Sequence, residues 1–308
     1  MGGSIMEQFE PLKTIHLRMH QVRSLKELKL SDDVFNSEAL MLVLNKKIRS
    51  HDGKRLLFKY LDLQEVPEVM DRKSRVLGYL NHSDYMDIKE LVIPDYQVKV
   101  DGSLAGFAMP LIENHRNLGS LIHSRGVSFE KKKEILYKLG ELIDKVERVD
   151  TDNKMYFGDL NEYNFIFDDD SSLRAVDLDS AFIGNREDIT PSSRAYYLLK
   201  NPTLKALPKK YVRTSGDVIV PNRESDLYSY NMILLDVIAN HDMFKEDIAT
   251  YYQYLDFLKK KGVPDDLIDS FFSIYSIKNN SNPKDLIPDL DNQLTHKSSF
   301  KQFQKKYL

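Results

Sequence analysis

The sequence contains no cysteine among its 308 residues. It can therefore form neither disulfide bonds nor thiolate metal sites, which is typical of a reducing compartment, and we expect a cytoplasmic location. No apolar run approaches the roughly 18 residues that a membrane helix needs. The start, MGGSIMEQFE, lacks the hydrophobic core of a signal peptide. We therefore expect no membrane partner.

No long block of one charge sign occurs either. Lys and Arg total 44 against 47 Asp and Glu, so the formal net charge is −3. Such a balance gives no electrostatic reason to expect a nucleic acid partner. The hydrophobic content of 42% is sufficient for one large buried core or two modest ones.

The first third of the chain has the pattern of strands joined by tight turns. Two Asp-Gly pairs, Asp52-Gly53 and Asp101-Gly102, each lie between apolar runs, and such pairs favour hairpins because the turn requires positive φ. Between the two hairpins the spacing predicts a helix that opens near Pro67 and runs to about Leu80. The predicted order is β, β, α, β, β.

From Ser128 onward the apolar residues recur at helical spacing, with Ser128 as the predicted cap of a long amphipathic helix. Two short strands are predicted around residues 164–167 and 173–176. The stretch SDLYSYNMILLDVIA is apolar almost all round, which indicates a buried helix, and Ser225 is its predicted cap.

These patterns predict an α+β fold with two lobes. We expect an N-terminal extension over residues 1–30, a strand-rich lobe over 31–110, a helical lobe over 111–294 and a basic, solvated tail over 295–308. A cleft between two such lobes is a common place for a ligand site.

Three stretches of the helical lobe resemble motifs of the protein kinase superfamily. GDLNEYNFIF resembles the catalytic loop, in which an Asp is followed five residues later by an Asn, and Asp159 and Asn164 keep that spacing. VDLDS resembles the metal-binding motif, and Asp177 is its first acidic residue. SDLYSYNMILLDVI resembles the buried helix of the large kinase lobe, in which Asp226 would brace the catalytic loop. In the strand-rich lobe, LLFKYLD offers Lys59 as the strand lysine that holds ATP phosphates.

The resemblance covers roughly residues 38–290 and implies a bilobal protein kinase-like fold. In the residues of its GDLN and DLDS motifs the chain is most similar to divergent bacterial and phage Ser/Thr kinases. The aminoglycoside phosphotransferase branch also shares GDL followed by Asn, although SDLYSY is closer to the protein kinases. The resemblance implies ATP and Mg²⁺ as cofactors and a protein Ser or Thr hydroxyl as the acceptor.

The resemblance assigns catalytic roles to Asp159, Asn161 and Lys59. Asp159 would orient the acceptor hydroxyl and accept its proton, and Lys59 would hold phosphate oxygens. Asn161 stands where Ser/Thr kinases carry a Lys that touches the γ-phosphate, so one cation is lost. We therefore expect transfer to be slower or differently supported.

The same resemblance assigns Mg²⁺ to Asn164 and Asp177, whose oxygens are hard ligands suited to this ion. Asp179 stands where the family motif has Gly, so it adds a carboxylate two residues after Asp177. That carboxylate is either a further metal ligand or an acceptor for nearby backbone amides.

Lys59 lies in an apolar strand, where it needs an acidic partner or a phosphate because burying an unpaired charge is costly. Glu68, nine residues on, is the expected partner. Glu65 and Asp71 are the alternatives.

The linker MPLI would hold the adenine ring. Met109 aligns with the residue that guards the adenine pocket. Kinases, which the chain resembles here, bind adenine through one backbone carbonyl and, two residues later, one N–H. Pro110 has a carbonyl but no N–H, so it can serve only the first role, which is the role that the resemblance gives to its position. Ile112 can provide the donor.

Two departures from the family pattern leave rival functions open. The stretch of residues 29–47 before Lys59 has no glycine, so a glycine-rich phosphate loop is missing, with a substitute turn expected near residues 31–37. The segment between Ser180 and Glu224 has no clear Ala-Pro-Glu motif. The rivals are a pseudokinase that serves as a nucleotide-binding scaffold or sensor, and a kinase of small hydroxylated molecules.

Overall fold

The computed structural model describes residues 11–28, 39–45, 47–61, 67–168, 172–186, 214–215, 218–219, 221–243, 246–273, 282–290 and 299–307. These residues form a small strand-rich lobe followed by a large, mostly helical lobe. The α+β class predicted from the sequence is confirmed.

A six-stranded sheet forms the small lobe, with its strands in the order β1-β5-β6-β4-β3-β2. Every neighbouring pair is antiparallel except β1 and β5, which run parallel. A short helix, α1 (Met19–Arg23), follows the first strand. The six strands are β1 (Lys13–Leu17), β2 (Lys26–Glu27), β3 (Ala39–Val43), β4 (Leu56–Leu61), β5 (Tyr96–Val100) and β6 (Ser103–Pro110).

Both Asp-Gly pairs lie in tight turns, as predicted. Asp101 and Gly102 have φ values of 49° and 93°, which satisfies the requirement of a two-residue hairpin for positive φ at both positions. Gly53, with φ of 78°, lies in the connection between β3 and β4, where its amide donates to the carbonyl of Ser50 at 3.0 Å.

Helix α2 (Pro67–Asn81) follows β4 and agrees with the predicted bounds. Pro67 suits the first helical position because its missing N–H would have no partner there. The helix buries Val76, Leu77 and Leu80 completely, so it forms part of the main hydrophobic core.

The helices of the large lobe pack around α5 (Arg223–Ala239), whose residues are buried along nearly the whole helix. The side chain of Ser128 caps α4 and accepts from the amide of Lys131 at 3.2 Å, as predicted. The helices of the described part of this lobe are α3 (Leu118–Ile122), α4 (Phe129–Val149), α5 (Arg223–Ala239), α6 (Ile248–Lys260), α7 (Asp265–Ser273) and α8 (Phe300–Tyr307).

The cap of α5 is Asn222 rather than the predicted Ser225. Asn222 has an extended backbone, as a cap must, and its side chain accepts from the amide of Ser225 at 2.9 Å. Ser225 completes a capping box, because its hydroxyl accepts from the amide of Asn222 at 3.0 Å. Both residue types favour caps, and the sequence alone misplaced the boundary by three residues.

The described part of the large lobe also contains short strands. The two predicted short strands form an antiparallel hairpin of β9 (Phe165–Phe167) with β10 (Leu173–Ala175), and β7 (Arg116–Asn117) extends this sheet. The short strands are β7 (Arg116–Asn117), β8 (Met155–Tyr156), β9 (Phe165–Phe167), β10 (Leu173–Ala175), β11 (Phe182–Ile183), β12 (Thr214–Ser215) and β13 (Val218–Ile219).

The two ends of the chain are more integrated than the sequence predicted. Strand β1 lies within the expected N-terminal extension yet belongs to the main sheet. Helix α8 lies within the expected solvated tail, but Phe300 and Phe303 are buried and pack on Tyr254. Two aromatic residues three positions apart share one helix face, which explains the docking.

Within the described residues, no helix combines the length and the apolar character needed to cross a membrane.

Candidate functional site

Four charged side chains meet where β4, α2 and the turn at residues 178–180 approach one another. The ammonium of Lys59 contacts the carboxylate of Asp177 and lies 3.0 Å from Oδ2 of Asp179. Lys73 on α2 brings a second ammonium to 3.4 Å from the same Asp179 oxygen. Two lysines and two aspartates thus form a charge-balanced cluster between the lobes.

The partners of Lys59 are not the predicted ones. Glu68 lies on the exposed side of the first turn of α2, and Asp71 instead pairs with Arg75 at 2.6 Å. Glu65 lies outside the described residues. The actual partners are 118 and 120 positions further along the chain, so a search among nearby acids could not find them.

The charges in the cluster shift one another's pKa. Burial alone would lower the pKa of Lys59, but the carboxylates of Asp177 and Asp179 raise it well above its usual range. Burial would raise the pKa of Asp179, but Lys59 and Lys73 hold it below its usual range. Partial burial and repulsion from Asp179 raise the pKa of Asp177. Asp179 is therefore firmly charged, whereas Asp177 would gain from an added cation.

The backbone of Asp177 is left-handed, with φ of 61° and ψ of 46°. Residues other than glycine seldom adopt this conformation, and Asp and Asn tolerate it best. Immediately before it, the amide of Val176 donates to the carbonyl of Asn164 at 2.9 Å. The turn that carries Asp177 is thus joined directly to the loop that carries Asn164.

That loop places two amide side chains around the carboxylate of Asp159. Nδ2 of Asn164 donates to Oδ2 and to the carbonyl oxygen of Asp159, at 3.1 and 2.9 Å. Nδ2 of Asn161 donates to Oδ1 of Asp159 at 2.9 Å. Together these bonds fix the orientation of the Asp159 carboxylate.

Asn161 is only 6% exposed and lies inside the loop. Its Oδ1 accepts from the amides of Tyr163 and Asn164, at 2.9 and 3.2 Å. The sequence resemblance placed Asn161 where Ser/Thr kinases carry the Lys that touches the γ-phosphate, and in the structure its polar atoms contact the loop and Asp159.

Asp226 on α5 holds the start of the same loop, as the resemblance predicts. Its Oδ2 accepts from the amide of Phe157 at 2.7 Å and its Oδ1 from the amide of Gly158 at 3.3 Å. The side chain is buried, and burial raises its pKa to about 7 even though the two amides oppose the shift. Asp159 follows Phe157 and Gly158 directly in the chain, so Asp226 holds the backbone just before it.

An apolar cluster adjoins the charged one. Met109 and Leu57, which face each other on β6 and β4, are buried in it. Ile112 and Val176 pack against the same cluster, so both lobes contribute to it. Pro110 is the last residue of β6 and is buried. The three linker residues singled out by sequence thus lie at or beside one apolar surface.

Comparisons with known proteins are informative for the fold alone. No family model matches the sequence, and no curated protein matches it. Among solved structures that match is an apo pseudokinase, with a TM-score of 0.53 and 11% identity over 96% of this chain and 99% of that chain. The chain has a bilobal protein kinase-like fold. The low identity carries no information about activity.

The oxygen atoms in the cleft of this kinase-like fold can be compared with the ligands that Mg²⁺ requires. In the described part of the chain, His, Cys, Asp and Glu form no group of three or more that could hold a metal. Mg²⁺ needs no such group, because it usually keeps waters and phosphate oxygens beside one or two protein ligands. Asp177, with a side chain 34% exposed, and Oδ1 of Asn164 fit that requirement. Asp179 is turned to two lysines instead.

Two parts of the kinase-like pattern fall outside the described residues. These are the substitute turn expected near residues 31–37 and residues 187–213 of the segment that lacks an Ala-Pro-Glu motif.

Proposed function

We propose that this chain is an ATP- and Mg²⁺-dependent phosphotransferase of the divergent bacterial or phage type, acting on a Ser or Thr hydroxyl of a protein. One observation carries the proposal: contacts run without a break from Lys59 to Asp177, and from the adjacent Val176 to Asn164 and Asp159. Groups suited to phosphate, metal and proton therefore share one site.

Asp159 is the proposed proton acceptor. Its carboxylate would take the proton of the acceptor hydroxyl as the oxygen bonds to the γ-phosphorus and the bond to the leaving ADP breaks. The amides of Asn161 and Asn164 hold that carboxylate in place, which keeps it oriented before any acceptor arrives.

Lys59 would hold phosphate oxygens, and Asn164 with Asp177 would hold Mg²⁺. When bound, the ion supplies positive charge that offsets the charge of the phosphates. The apolar surface around Met109 and Ile112 would receive the adenine ring, with the carbonyl of Pro110 as acceptor.

A pseudokinase is the second candidate, and one observation favours it. The ammonium of Lys59 is already engaged by two carboxylates, so it must loosen from Asp177 before it can hold a phosphate. Such a module would bind nucleotide without transferring phosphate.

The test compares the parent with Asp159→Asn and with Asp84→Asn, which alters an exposed acid outside the site. Fluorescent ATP and Mg²⁺ report binding. Radiolabelled ATP reports transfer to casein, to histone, to the chain itself and to a panel of small hydroxylated molecules. The proposal expects transfer to a protein by the parent and by Asp84→Asn, with a loss of at least about 10²-fold in Asp159→Asn and little change in binding.

Other outcomes separate the candidates. Binding without transfer to any acceptor would identify the pseudokinase. Transfer to small molecules alone would replace the protein acceptor with a small one. Failure of the parent to bind Mg-ATP would refute the proposal.

A further inference from the structure

Lys73 lies on the buried face of α2 rather than on its solvated face. Met70, Leu77 and Leu80 follow the same helical spacing and are buried, and the Lys73 side chain is only 13% exposed. A lysine in such surroundings must have its charge offset. The carboxylate of Asp179, 3.4 Å away, does so.

Asp179 is the most deeply buried charge of the cluster. Its side chain is 4% exposed, and its Oδ2 lies within reach of both Lys59 and Lys73. A carboxylate enclosed in this way has little room to turn an oxygen to a hydrated metal ion. Asp177 keeps a third of its side-chain surface in solvent, so the two aspartates differ in what they can bind.

From this arrangement we propose that Lys73 is a positioning residue and that Asp179 is an anchor for Lys59 rather than a metal ligand. The inference rests on the proposed function, because it assigns the residues that prepare Lys59 for phosphate. The ammonium of Lys73 offsets the negative charge of Asp179. Within the cluster, Lys59 therefore does not balance the charges of both carboxylates alone. Helix α2 thereby supplies the cation, and the turn at residues 178–180 supplies the acid.

The arrangement also couples the position of α2 to the large lobe. An ion pair from α2 reaches Asp179 directly, and Asp179 in turn contacts Lys59. A shift of α2 would therefore change the charge around Lys59 without any movement of β4.

The test in the nucleotide-bound state uses Lys73→Met, Lys73→Arg and the control Arg72→Met, which removes an exposed cation from the same helix. Titration with a fluorescent ATP analogue and Mg²⁺ should show about tenfold weaker binding for Lys73→Met, recovery in Lys73→Arg and no change in Arg72→Met. If Lys73 acts through Lys59, adding Lys73→Met to Lys59→Met should cause no further loss. Equal losses in both backgrounds would overturn the proposal.

The role of Asp179 is tested by the Mg²⁺ dependence of that binding. Asp177→Asn should raise the half-saturating Mg²⁺ concentration by about tenfold or more. Asp179→Asn should weaken nucleotide binding yet leave the half-saturating Mg²⁺ concentration within about twofold of the parent. An equal rise in both variants would make Asp179 a metal ligand.

A measurement without nucleotide keeps this inference separate from the proposed function. Urea unfolding midpoints of Lys73→Met, Asp179→Asn and the double variant form a double-mutant cycle. The double variant should lose no more than Asp179→Asn alone. Additive losses would refute the Lys73–Asp179 coupling, whether or not the parent binds ATP, whereas absence of ATP binding with a coupled cycle would refute only the function.

Discussion

Replacing Asp226 by Asn tests the brace beneath the catalytic loop. The carboxylate accepts from the buried amides of Phe157 and Gly158 through separate oxygens. Asn retains one acceptor oxygen and presents an N–H₂ group in place of the other. One amide donor therefore loses its partner, which costs about 1–3 kcal/mol for a buried group.

The pH dependence gives this prediction a second signature. The pKa of Asp226 is about 7 in the folded chain against 3.8 for the free side chain. The folded state therefore binds more protons than the unfolded state between these values, and the contribution of Asp226 to stability falls as the pH rises through that window. At about 1.4 kcal/mol per pH unit, the contribution falls by roughly 2–3 kcal/mol from pH 5 to pH 8.

Asn does not titrate, so this fall should be missing from Asp226→Asn. The unfolding free energy of the parent should therefore fall by roughly 2–3 kcal/mol relative to that of the variant from pH 5 to pH 8, which offsets most or all of the cost of the lost acceptor at the upper end of the range. The chain has no tryptophan, so urea unfolding is best followed by circular dichroism. A difference that stays constant across the pH range would show that the folded pKa is not raised.

Hydrogen exchange of the backbone amides of residues 155–164 shows whether the loss of stability is located in the catalytic loop. In Asp226→Asn these amides should exchange faster than in the parent. Asp236→Asn is the matched control, because Asp236 is buried on the same helix but accepts from the amide of Met243. It should reduce stability without selective loss of protection in the loop. Equal exchange in both variants would refute the brace.

Three further changes and one control substitution test other parts of the molecule. Lys59→Met should reduce the initial rate of phosphate transfer by roughly 10²-fold or more, and an unchanged rate would exclude it from the site. Asn222→Ala should reduce the unfolding free energy by about 1 kcal/mol in urea titrations, because α5 loses its cap. Phe303→Ala, at a fully buried position, should cost about 3–5 kcal/mol. Tyr307→Ala, at a residue 41% exposed, should cost far less in the same assay, and equal losses would argue against docking of α8.

Local signals in the sequence were sufficient for most of the framework. The Asp-Gly pairs predicted the turns because so few residues accept positive φ, and Ser128 marked the start of α4 because a cap acts within one turn. The spacing from Asp159 to Asn164 predicted a shared loop, and the structure joins the two side chains by hydrogen bonds.

The partners of Lys59 could not be predicted in the same way. An ion pair across 118 or 120 residues depends on how the lobes close, and nearby acids such as Glu68 offered a misleading local choice. Two signals were nevertheless present in the sequence. Asp179 occupies a position where the family motif has glycine, and Lys73 interrupts an apolar helix face.

Strand β1 has a practical consequence for where the chain can be shortened. It covers the edge of β5 over five paired positions from Lys13 to Leu17, and the adjacent Leu12 is buried in the main core. A fragment that began at residue 31, where the strand-rich lobe was expected to begin, would uncover the backbone donors and acceptors of β5. Such an edge recruits strands from other molecules, so we expect that fragment to precipitate on expression even though every residue of the cleft would remain, whereas a fragment beginning at Pro11 should stay dispersed.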